Sequence, residues 1–343
     1  MLLSVSSRFV AAAALLLTAA TAQAQNVYFS QPFATRLYTN PAYTGLLDDY
    51  SLTFGFRNQF PSLVGTFKTN YLAADLRLDK PGRHHAIGLV FNHDRTGELN
   101  YTRFEVGGNY AYHTRLTKTL ALSGGLNASY GRQQSPVNNF LFGDQIADDG
   151  TVTGNPSAEL TNYPPVNYFS IGTGAVLYSE NGWLSISGQH LNQPSLAFRR
   201  STNLPMALNF SGGYKFFLLK PSPGAATHEV SLTPTASYSR QGASQRIEAG
   251  AYVTVSPVTL GGVYRNIITP GSVNQQQVLA AIVGVSVGAL RIGYSYDVGL
   301  TTLSSDLGGA HEVTLTLRSF DRLENAYRRL KRRDYPLAPC PAF

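Results

Sequence analysis

From residue 50 onward the chain alternates apolar and polar residues with a period of two. Because successive side chains of a β-strand point to opposite faces, this period predicts strands that separate two different environments. The alternation recurs in residues 103–113, 120–130 and 290–298, which predicts an all-β protein. The first stretch reads Tyr50, Ser51, Leu52, Thr53, Phe54, Gly55, Phe56 and Arg57.

The alternating stretches predict fourteen strands, an even number of the kind with which bacterial transmembrane barrels close and leave no free edge. The connections after even-numbered strands are brief and those after odd-numbered strands usually longer, with 242–244 as an exception. Short turns at one end and long loops at the other are typical of outer-membrane barrels. The predicted strands are 49–57, 66–78, 84–93, 100–113, 118–131, 167–178, 183–190, 204–219, 227–241, 245–255, 258–265, 276–287, 290–298 and 310–320.

Residues 132–166 form the longest predicted connection and lack periodicity. Two interpretations stay open for them, an external loop and a lid or plug folded over the pore.

The first 24 residues predict a signal peptide. Arg8 supplies a positive region, Val10 to Ala20 an apolar core, and Ala22-Gln23-Ala24 a cleavage site of small residues. Export is therefore expected, with Gln25 as the mature N-terminus. No later stretch offers the roughly 18 uninterrupted apolar residues that a spanning helix requires, so a membrane-embedded form of this chain is expected to be a barrel.

Two further segments flank the predicted barrel of residues 49–320. Residues 25–48 are expected to form a short plug in or against the periplasmic mouth, because their aromatic residues are too apolar for water while Pro32 and Pro41 disfavour a regular strand. Residues 321–343 predict a basic periplasmic tail that begins with a short helix. An even strand count places both segments on the same side of the membrane.

The sequence also resembles the PorP/SprF family. A Phe-Ser-Gln element at Phe29, Ser30 and Gln31 precedes an Asn-Pro-Ala-Tyr-Thr-Gly element from Asn40 to Gly45, and three later elements follow in the family's order. The later elements are Gly262-Val263-Tyr264-Arg265, Gly293-Tyr294-Ser295-Tyr296-Asp297 and Gly309-Ala310-His311-Glu312, and the ending Cys340-Pro341-Ala342-Phe343 is similar too.

This resemblance implies an outer-membrane component of type IX secretion or gliding that supports secretion or surface anchoring of exported proteins. The implied partners are outer-membrane lipids, together with periplasmic ring or peptidoglycan-linked secretion components, a secreted adhesin, or the adhesin's C-terminal domain. The residues expected to carry the family motif or to bind a partner are Phe29, Ser30, Gln31, Asn40, Pro41, Tyr43, Gly45, Tyr294, Asp297, His311, Glu312, Arg328, Arg329 and Arg332.

Composition and candidate chemistry limit the alternatives. The 20 Tyr and 18 Phe against one Trp and two Met favour β structure, and export argues against nucleic acid as the partner of a chain with net charge +7. His113 and Ser123 lie on adjacent predicted strands, but no third group completes a catalytic set. No enzyme activity, cofactor or metal site is predicted.

Three other interpretations compete with the secretion barrel: a passive or substrate-selective porin, a barrel hydrolase, and a soluble secreted β-sandwich. A sandwich needs apolar faces turned inward, whereas the aromatic residues here are expected to face outward. A lone Cys340 provides no intrachain disulfide, so hydrogen bonding and packing are expected to hold the fold.

Overall fold

The computed structural model describes twelve parts of the chain, and the predicted signal peptide and basic tail lie outside them. Arg328, Arg329, Arg332 and Cys340 are likewise outside. The described residues are 26–62, 65–78, 84–97, 101–134, 141–147, 149–155, 157, 165–196, 203–219, 229–269, 275–301 and 308–318.

The described residues form fifteen β-strands. Their bounds match the predicted segments closely, because the period-two alternation continues to within a few residues of each turn. The strands are β1 (Tyr50–Gln59), β2 (Phe67–Arg77), β3 (His85–Thr96), β4 (Tyr101–Arg115), β5 (Ala121–Gln134), β6 (Val166–Tyr178), β7 (Gly182–Gln189), β8 (Ala207–Tyr214), β9 (Phe216–Leu219), β10 (Val230–Gln241), β11 (Ser244–Val255), β12 (Val258–Ile268), β13 (Gln276–Val287), β14 (Leu290–Gly299) and β15 (Ala310–Arg318).

These strands close into a single antiparallel barrel. Each pairs with its neighbours in the ring, and β15 pairs with β1 to complete it. Strands β8 and β9 both pair with β10, so they are two parts of one strand position and the barrel has fourteen positions. The prediction of a fourteen-stranded barrel is confirmed, with the predicted strand 204–219 divided in two.

The division falls at Lys215, which leaves the regular ladder. Its backbone N–H donates to the carbonyl of Asn181 at 2.6 Å, in the turn that precedes β7. Its ammonium group lies 3.0 Å from a carboxylate oxygen of Glu229. The bond to Asn181 continues the register of β7 with β8. The break coincides with Pro234 of β10, which stands opposite Tyr214 in the register that β8 and β9 share and has no N–H to donate.

The barrel turns its apolar side chains outward and its polar side chains inward. In β1, Leu52 and Phe54 are each 45% exposed, whereas Thr53 and Arg57 are each 2% exposed. This inverted arrangement contradicts the soluble sandwich, because apolar rows on the outer face require a lipid environment. None of the described helices is long and apolar enough to span a membrane.

The barrel has two different ends, which we name by their connections. At the turn end, β1 begins at Tyr50 and β15 ends at Arg318, and the connections include the short ones 179–181, 256–257 and 288–289. At the loop end, β1 ends and β15 begins, and residues 135–165, 190–206 and 300–309 connect strands.

Candidate functional site in the barrel lumen

Residues 26–48, here named the lumenal segment, lie inside the barrel. Ser30 hydrogen-bonds to β14 through Asp297, while Asn40 hydrogen-bonds to β7 through Ser185. Contacts to strands on opposite sides of the ring are possible only from within the lumen. The segment contains one short helix, α1 (Arg36–Thr39), followed by a 3-10 turn, Pro41–Tyr43.

The lumenal segment extends from one end of the barrel to the other. At the loop end the Asn26 N–H donates to Oε1 of Gln241 at 2.7 Å, and the Asn26 amide donates to Gln189 at 2.9 Å. At the turn end Asp48 accepts from Arg291 at 3.1 Å. The expectation that all of residues 25–48 lies on the same side as the end of the last strand is therefore wrong for Asn26. Apolar packing stabilises the segment along the lumen and not only at one mouth of the barrel.

This geometry predicts that the two termini of the described chain face opposite compartments. A short epitope inserted between Gln25 and Asn26 is expected to bind antibody on intact cells, because long connections mark the external end of outer-membrane barrels. An epitope inserted after Thr117, in an exposed connection at the turn end, is the control and is expected to bind only after permeabilisation. Detection of both epitopes in the same compartment would contradict the prediction.

Ser30 and Gln31 bind a group of buried charged side chains at the loop-end half of the lumen. The Ser30 hydroxyl donates to Oδ2 of Asp297 at 2.7 Å. The backbone N–H groups of Ser30 and Gln31 donate to the two carboxylate oxygens of Glu312 at 2.7 and 3.0 Å. We name this group the charge cluster; its members are Arg57, Glu248, Arg265, Asp297 and Glu312.

Within the charge cluster, each arginine contacts two carboxylates. Arg57 lies 2.8 Å from Asp297 and 3.1 Å from Glu312. Arg265 lies 3.1 Å from Asp297 and 2.5 Å from Glu248. Such pairing is necessary because an unpaired charge in a buried site is strongly destabilising. The cluster thus joins β1, β11, β12, β14 and β15 to the lumenal segment.

The ring of Tyr28 lies among three guanidinium groups. The central carbon of Arg265 is 4.7 Å from the ring centroid, that of Arg57 is 5.0 Å, and that of Arg246 is 5.3 Å. All three distances fall within the range of cation–π attraction. The Tyr28 hydroxyl also accepts from the Gln59 amide at 3.2 Å. These contacts fix the segment at its loop-end side.

A second set of charges holds the segment at the turn end. Asp48 accepts from Arg291 and lies 3.7 Å from Arg36. Asp75 lies 3.5 Å from Arg36 and accepts from the Gly45 N–H at 2.7 Å. These contacts explain why Asp75 stands at an inward position of β2 where the strand pattern alone requires only a polar side chain.

The motif from Asn40 to Gly45 follows the inner wall of the barrel. Asn40 accepts from the N–H of Ala42 at 2.8 Å and thereby caps the 3-10 turn. Its amide donates to Ser185 at 2.9 Å and to the carbonyl of Ile186 at 3.0 Å. Gly45 has φ +65°, a conformation that favours glycine, and a Cβ there would lie 2.5 Å from Cβ of Ala86.

Three strand glycines make room for the lumenal segment. A Cβ at Gly174 would overlap the Asn40 side chain, and one at Gly293 would overlap the Gln31 side chain. A Cβ at Gly125 would overlap the backbone of Ala42. Close approach of a second chain segment therefore requires glycine at these three positions.

His113 and Ser123, the candidate hydrolytic pair, both bind the backbone of the lumenal segment. They are paired directly across β4 and β5 and both are fully buried. The His113 ring nitrogen Nε2 donates to the carbonyl of Thr44 at 3.0 Å, and the Ser123 hydroxyl donates to the carbonyl of Ala42 at 2.7 Å. Anchoring of the segment thus accounts for both residues.

His190 binds the segment at the loop end as a neutral side chain. Burial lowers the pKa of His190 to about 4. A neutral imidazole donates from one nitrogen and accepts at the other. Nε2 lies 3.0 Å from the amide oxygen of Asn26 and therefore donates, and Nδ1 accepts from the Ser170 hydroxyl at 2.7 Å.

Aromatic packing supplies the apolar part of the contact. Phe29 packs against Tyr38 and Tyr71 with ring centroids 5.6 and 5.5 Å apart. Phe33 contacts Trp183 and Tyr252 at 5.6 and 5.5 Å. Burial of a large aromatic side chain contributes about 1.5–3 kcal/mol, so these rings stabilise the segment together with its hydrogen bonds.

A protein-family model matches both the lumenal segment and the barrel strands. The model described as type IX secretion system membrane protein PorP/SprF matches residues 21–317. The chain belongs to the PorP/SprF family. The match extends from before the lumenal segment almost to the end of β15, and with the barrel fold it assigns this PorP/SprF protein to the bacterial outer membrane. No curated protein matches the sequence.

The chain also has distant similarity to several solved structures. The Ralstonia pickettii toluene transporter TbuX is 13% identical with a TM-score of 0.47, and the match covers 84% of this chain and 94% of TbuX. Omp33 of Acinetobacter baumannii is 9% identical with a TM-score of 0.42, covering 80% and 100%. CdiB of Acinetobacter baumannii is 7% identical with a TM-score of 0.43, covering 80% and 60%.

The remaining predicted site residues of this PorP/SprF protein lie on the outer face of the barrel, within the lumenal segment or outside the described residues. Tyr294 and His311 are on the outer face, where the Tyr294 hydroxyl and Nδ1 of His311 are 2.9 Å apart. Pro41 and Tyr43 form the 3-10 turn of the segment. In the described part of the chain, no group of three or more His, Cys, Asp or Glu side chains could hold a metal ion.

Proposed function

We propose that this PorP/SprF protein is a non-enzymatic outer-membrane component that supports secretion or surface anchoring of exported proteins. Family membership supports a role in type IX secretion. The observation that carries the proposal is the binding of the family-motif residues Ser30, Gln31 and Asn40 inside the lumen. A segment fixed by both charges and aromatic rings suits a scaffold for partner proteins better than it suits a free diffusion path.

The proposed partners are periplasmic ring or peptidoglycan-linked secretion components, or a secreted adhesin or its C-terminal domain. The basic residues Arg328, Arg329 and Arg332 lie outside the described residues, and we propose them as a docking element for a periplasmic partner. A run of positively charged side chains attracts acidic surfaces.

Deletion of the gene tests this proposal. We expect the deletion strain to lose surface display of one or more type IX substrates, measured by mass spectrometry of the cell-surface and culture fractions. Complementation with the wild-type gene is expected to restore display. A variant in which Arg328, Arg329 and Arg332 are each changed to Glu tests docking of the periplasmic partner separately from assembly of the barrel. Normal secretion of every type IX substrate in the deletion strain would contradict the proposal.

A porin is the second candidate, supported by a cavity of about 130 Å³ beside the lumenal segment. Hydroxyl-bearing side chains of β8 and β10, including Ser211, Ser237 and Ser239, line it together with Arg246 of β11. Steady conductance of the purified full-length barrel in planar bilayers would favour this alternative. Only brief or no openings are expected if the segment keeps the lumen closed.

A further inference from the structure

The cavity beside the lumenal segment lies between that segment and the inner faces of β8, β10 and β11. Directly paired residues of neighbouring strands point to the same face of a sheet. Polar side chains therefore meet along the wall of the cavity at positions that the strand register fixes. Two rows of paired inward residues form this wall: Asn209, Ser239 and Arg246 in one row, and Ser211, Ser237 and Glu248 in the next.

The other side of the cavity is largely apolar. Tyr28, Phe29 and Tyr38 of the lumenal segment line it, and Ile267 of β12 is directly paired with Arg246. The volume of about 130 Å³ is close to that of a cavity of about 150 Å³ that admits benzene. The space therefore fits a ligand of about six non-hydrogen atoms that has one polar and one apolar end.

Arg246 differs from the two arginines of the charge cluster. Its side chain is 24% exposed, against 2% for Arg57 and 1% for Arg265. It forms an ion pair with Glu248 at 3.6 Å and lies over the Tyr28 ring, but neither contact is a hydrogen bond. Within the described part of the chain, the Arg246 side chain donates no hydrogen bond. Because its Nε atom is enclosed, an acceptor in the cavity is expected to approach the two terminal nitrogens.

Glu248, the carboxylate beside this guanidinium, is held mainly by other groups. Its Oε1 atom lies 2.5 Å from Nε of Arg265, and its Oε2 atom accepts from the Ser237 hydroxyl at 2.8 Å. Attraction between charges falls with distance, so the pair with Arg265 is stronger than the pair with Arg246 at 3.6 Å. Arg246 can therefore attract a second carboxylate.

Two serine hydroxyls beside Arg246 complete the polar end of the cavity. Ser239 is directly paired with Arg246, and Ser244 precedes Arg246 by two residues and so lies on the same face of β11. Among the residues that the structure describes, neither hydroxyl forms a hydrogen bond. An ionised carboxylate has two oxygens with several acceptor positions. It can thus accept from the guanidinium and from a hydroxyl at the same time.

We propose that this cavity binds a small organic carboxylate through Arg246, with Ser239 and Ser244 as further donors. The planar guanidinium presents paired donors that match the two oxygens of a carboxylate. The apolar body of the ligand would pack against the aromatic rings of the lumenal segment, which inorganic phosphate could not do. Gln241 and Ser244 line the cavity next to the connection between β10 and β11 at the loop end, so the ligand enters from the external side. Binding requires no secretion partner.

Equilibrium dialysis of the folded full-length barrel in detergent against radiolabelled butyrate tests this site. We expect saturable binding that unlabelled butyrate displaces. Butyramide, the neutral molecule of similar shape, and inorganic phosphate are each expected to compete about tenfold less well, because butyramide lacks the charge and phosphate lacks the apolar body.

Substitution of Arg246 by Gln is expected to raise the Kd for butyrate about tenfold, since charge-assisted hydrogen bonds are lost. Arg115→Gln makes the same chemical change at an exposed position at the turn end and is expected to match the wild type. Far-UV circular dichroism checks that each variant keeps its β structure.

Four outcomes would overturn the carboxylate site: no saturable binding to the wild type, equal affinity of Arg246→Gln and the wild type, or competition by butyramide or by phosphate as strong as that by butyrate. If Arg246→Gln does not fold, Arg246→Lys is measured, because lysine keeps the positive charge beside Glu248 but lacks the paired donors. We expect a weaker affinity for butyrate, and an affinity equal to that of the wild type then overturns the site.

Discussion

Deletion of residues 26–44 is expected to convert the closed barrel into an ion-conducting pore, with a conductance roughly tenfold or more above that of the full-length protein. Eight-stranded barrels are filled by their own side chains, whereas barrels of sixteen strands enclose a channel. With fourteen strand positions, this barrel has an interior that its inward side chains only partly fill. The lumenal segment occupies the rest, packing Phe29 and Phe33 between opposite walls.

Single-channel recording in planar bilayers measures this effect, and the missing segment can be supplied again in solution. A synthetic peptide of residues 26–44 added to the deletion variant is expected to reduce its conductance, because its partners on the walls remain in place. A peptide of the same composition in scrambled order is the control. A folded deletion variant that conducts no better than the full-length protein would contradict the assignment of the segment as the closing element.

The barrel wall could be predicted from sequence because its determinants are local. Alternation of Leu52 and Phe54 with Thr53 fixes the face of each side chain within a few residues. The end of a strand is similarly local, since turn-forming residues interrupt the pattern. One departure, the break at Lys215, coincides with Pro234 of the neighbouring strand β10, which has no N–H to donate and gives no signal in the divided strand itself.

The lumenal contacts could not be predicted in the same way because they join distant residues. Ser30 and Asp297 are separated by 267 positions, and no periodicity links them. Family resemblance singled out both residues without indicating that they touch. Charged residues at inward strand positions, such as Arg57 and Asp75, were a usable signal, since a charge there needs a partner within the lumen.

The direction in which the lumenal segment runs along the barrel was predicted wrongly from the sequence, for a physical reason. The aromatic residues and Pro32 of the segment indicate a folded element that does not join the sheet. They carry no information on the end of the barrel at which the segment begins. The direction follows from contacts at the loop end, where Asn26 meets Gln189 and Gln241. Strand glycines such as Gly174 were a second signal, because a missing side chain on an inward position leaves space for another segment.

Substitution of Asp297 by Asn is expected to lower the free energy of unfolding by about 3–5 kcal/mol, the typical cost of removing one partner from a buried ion pair. Asp297 is 3% exposed and accepts hydrogen bonds from Ser30, Arg57 and Arg265. Asn keeps the shape but removes the negative charge, so both guanidinium groups lose a carboxylate. Urea unfolding in detergent micelles, followed by tyrosine fluorescence and circular dichroism, measures the change.

The matched control is Asp149→Asn, which makes the same chemical change at an exposed position where Asp149 accepts from Thr151. It is expected to leave the unfolding transition unchanged. Combining Asp297→Asn with Arg57→Gln is expected to cost less than the sum of the two single substitutions, because each single variant leaves the other partner buried with an unmatched charge or dipole. Additive losses would show that Arg57 and Asp297 are stabilised independently, Arg57 by Glu312 and Asp297 by Arg265, and would contradict direct coupling across the charge cluster.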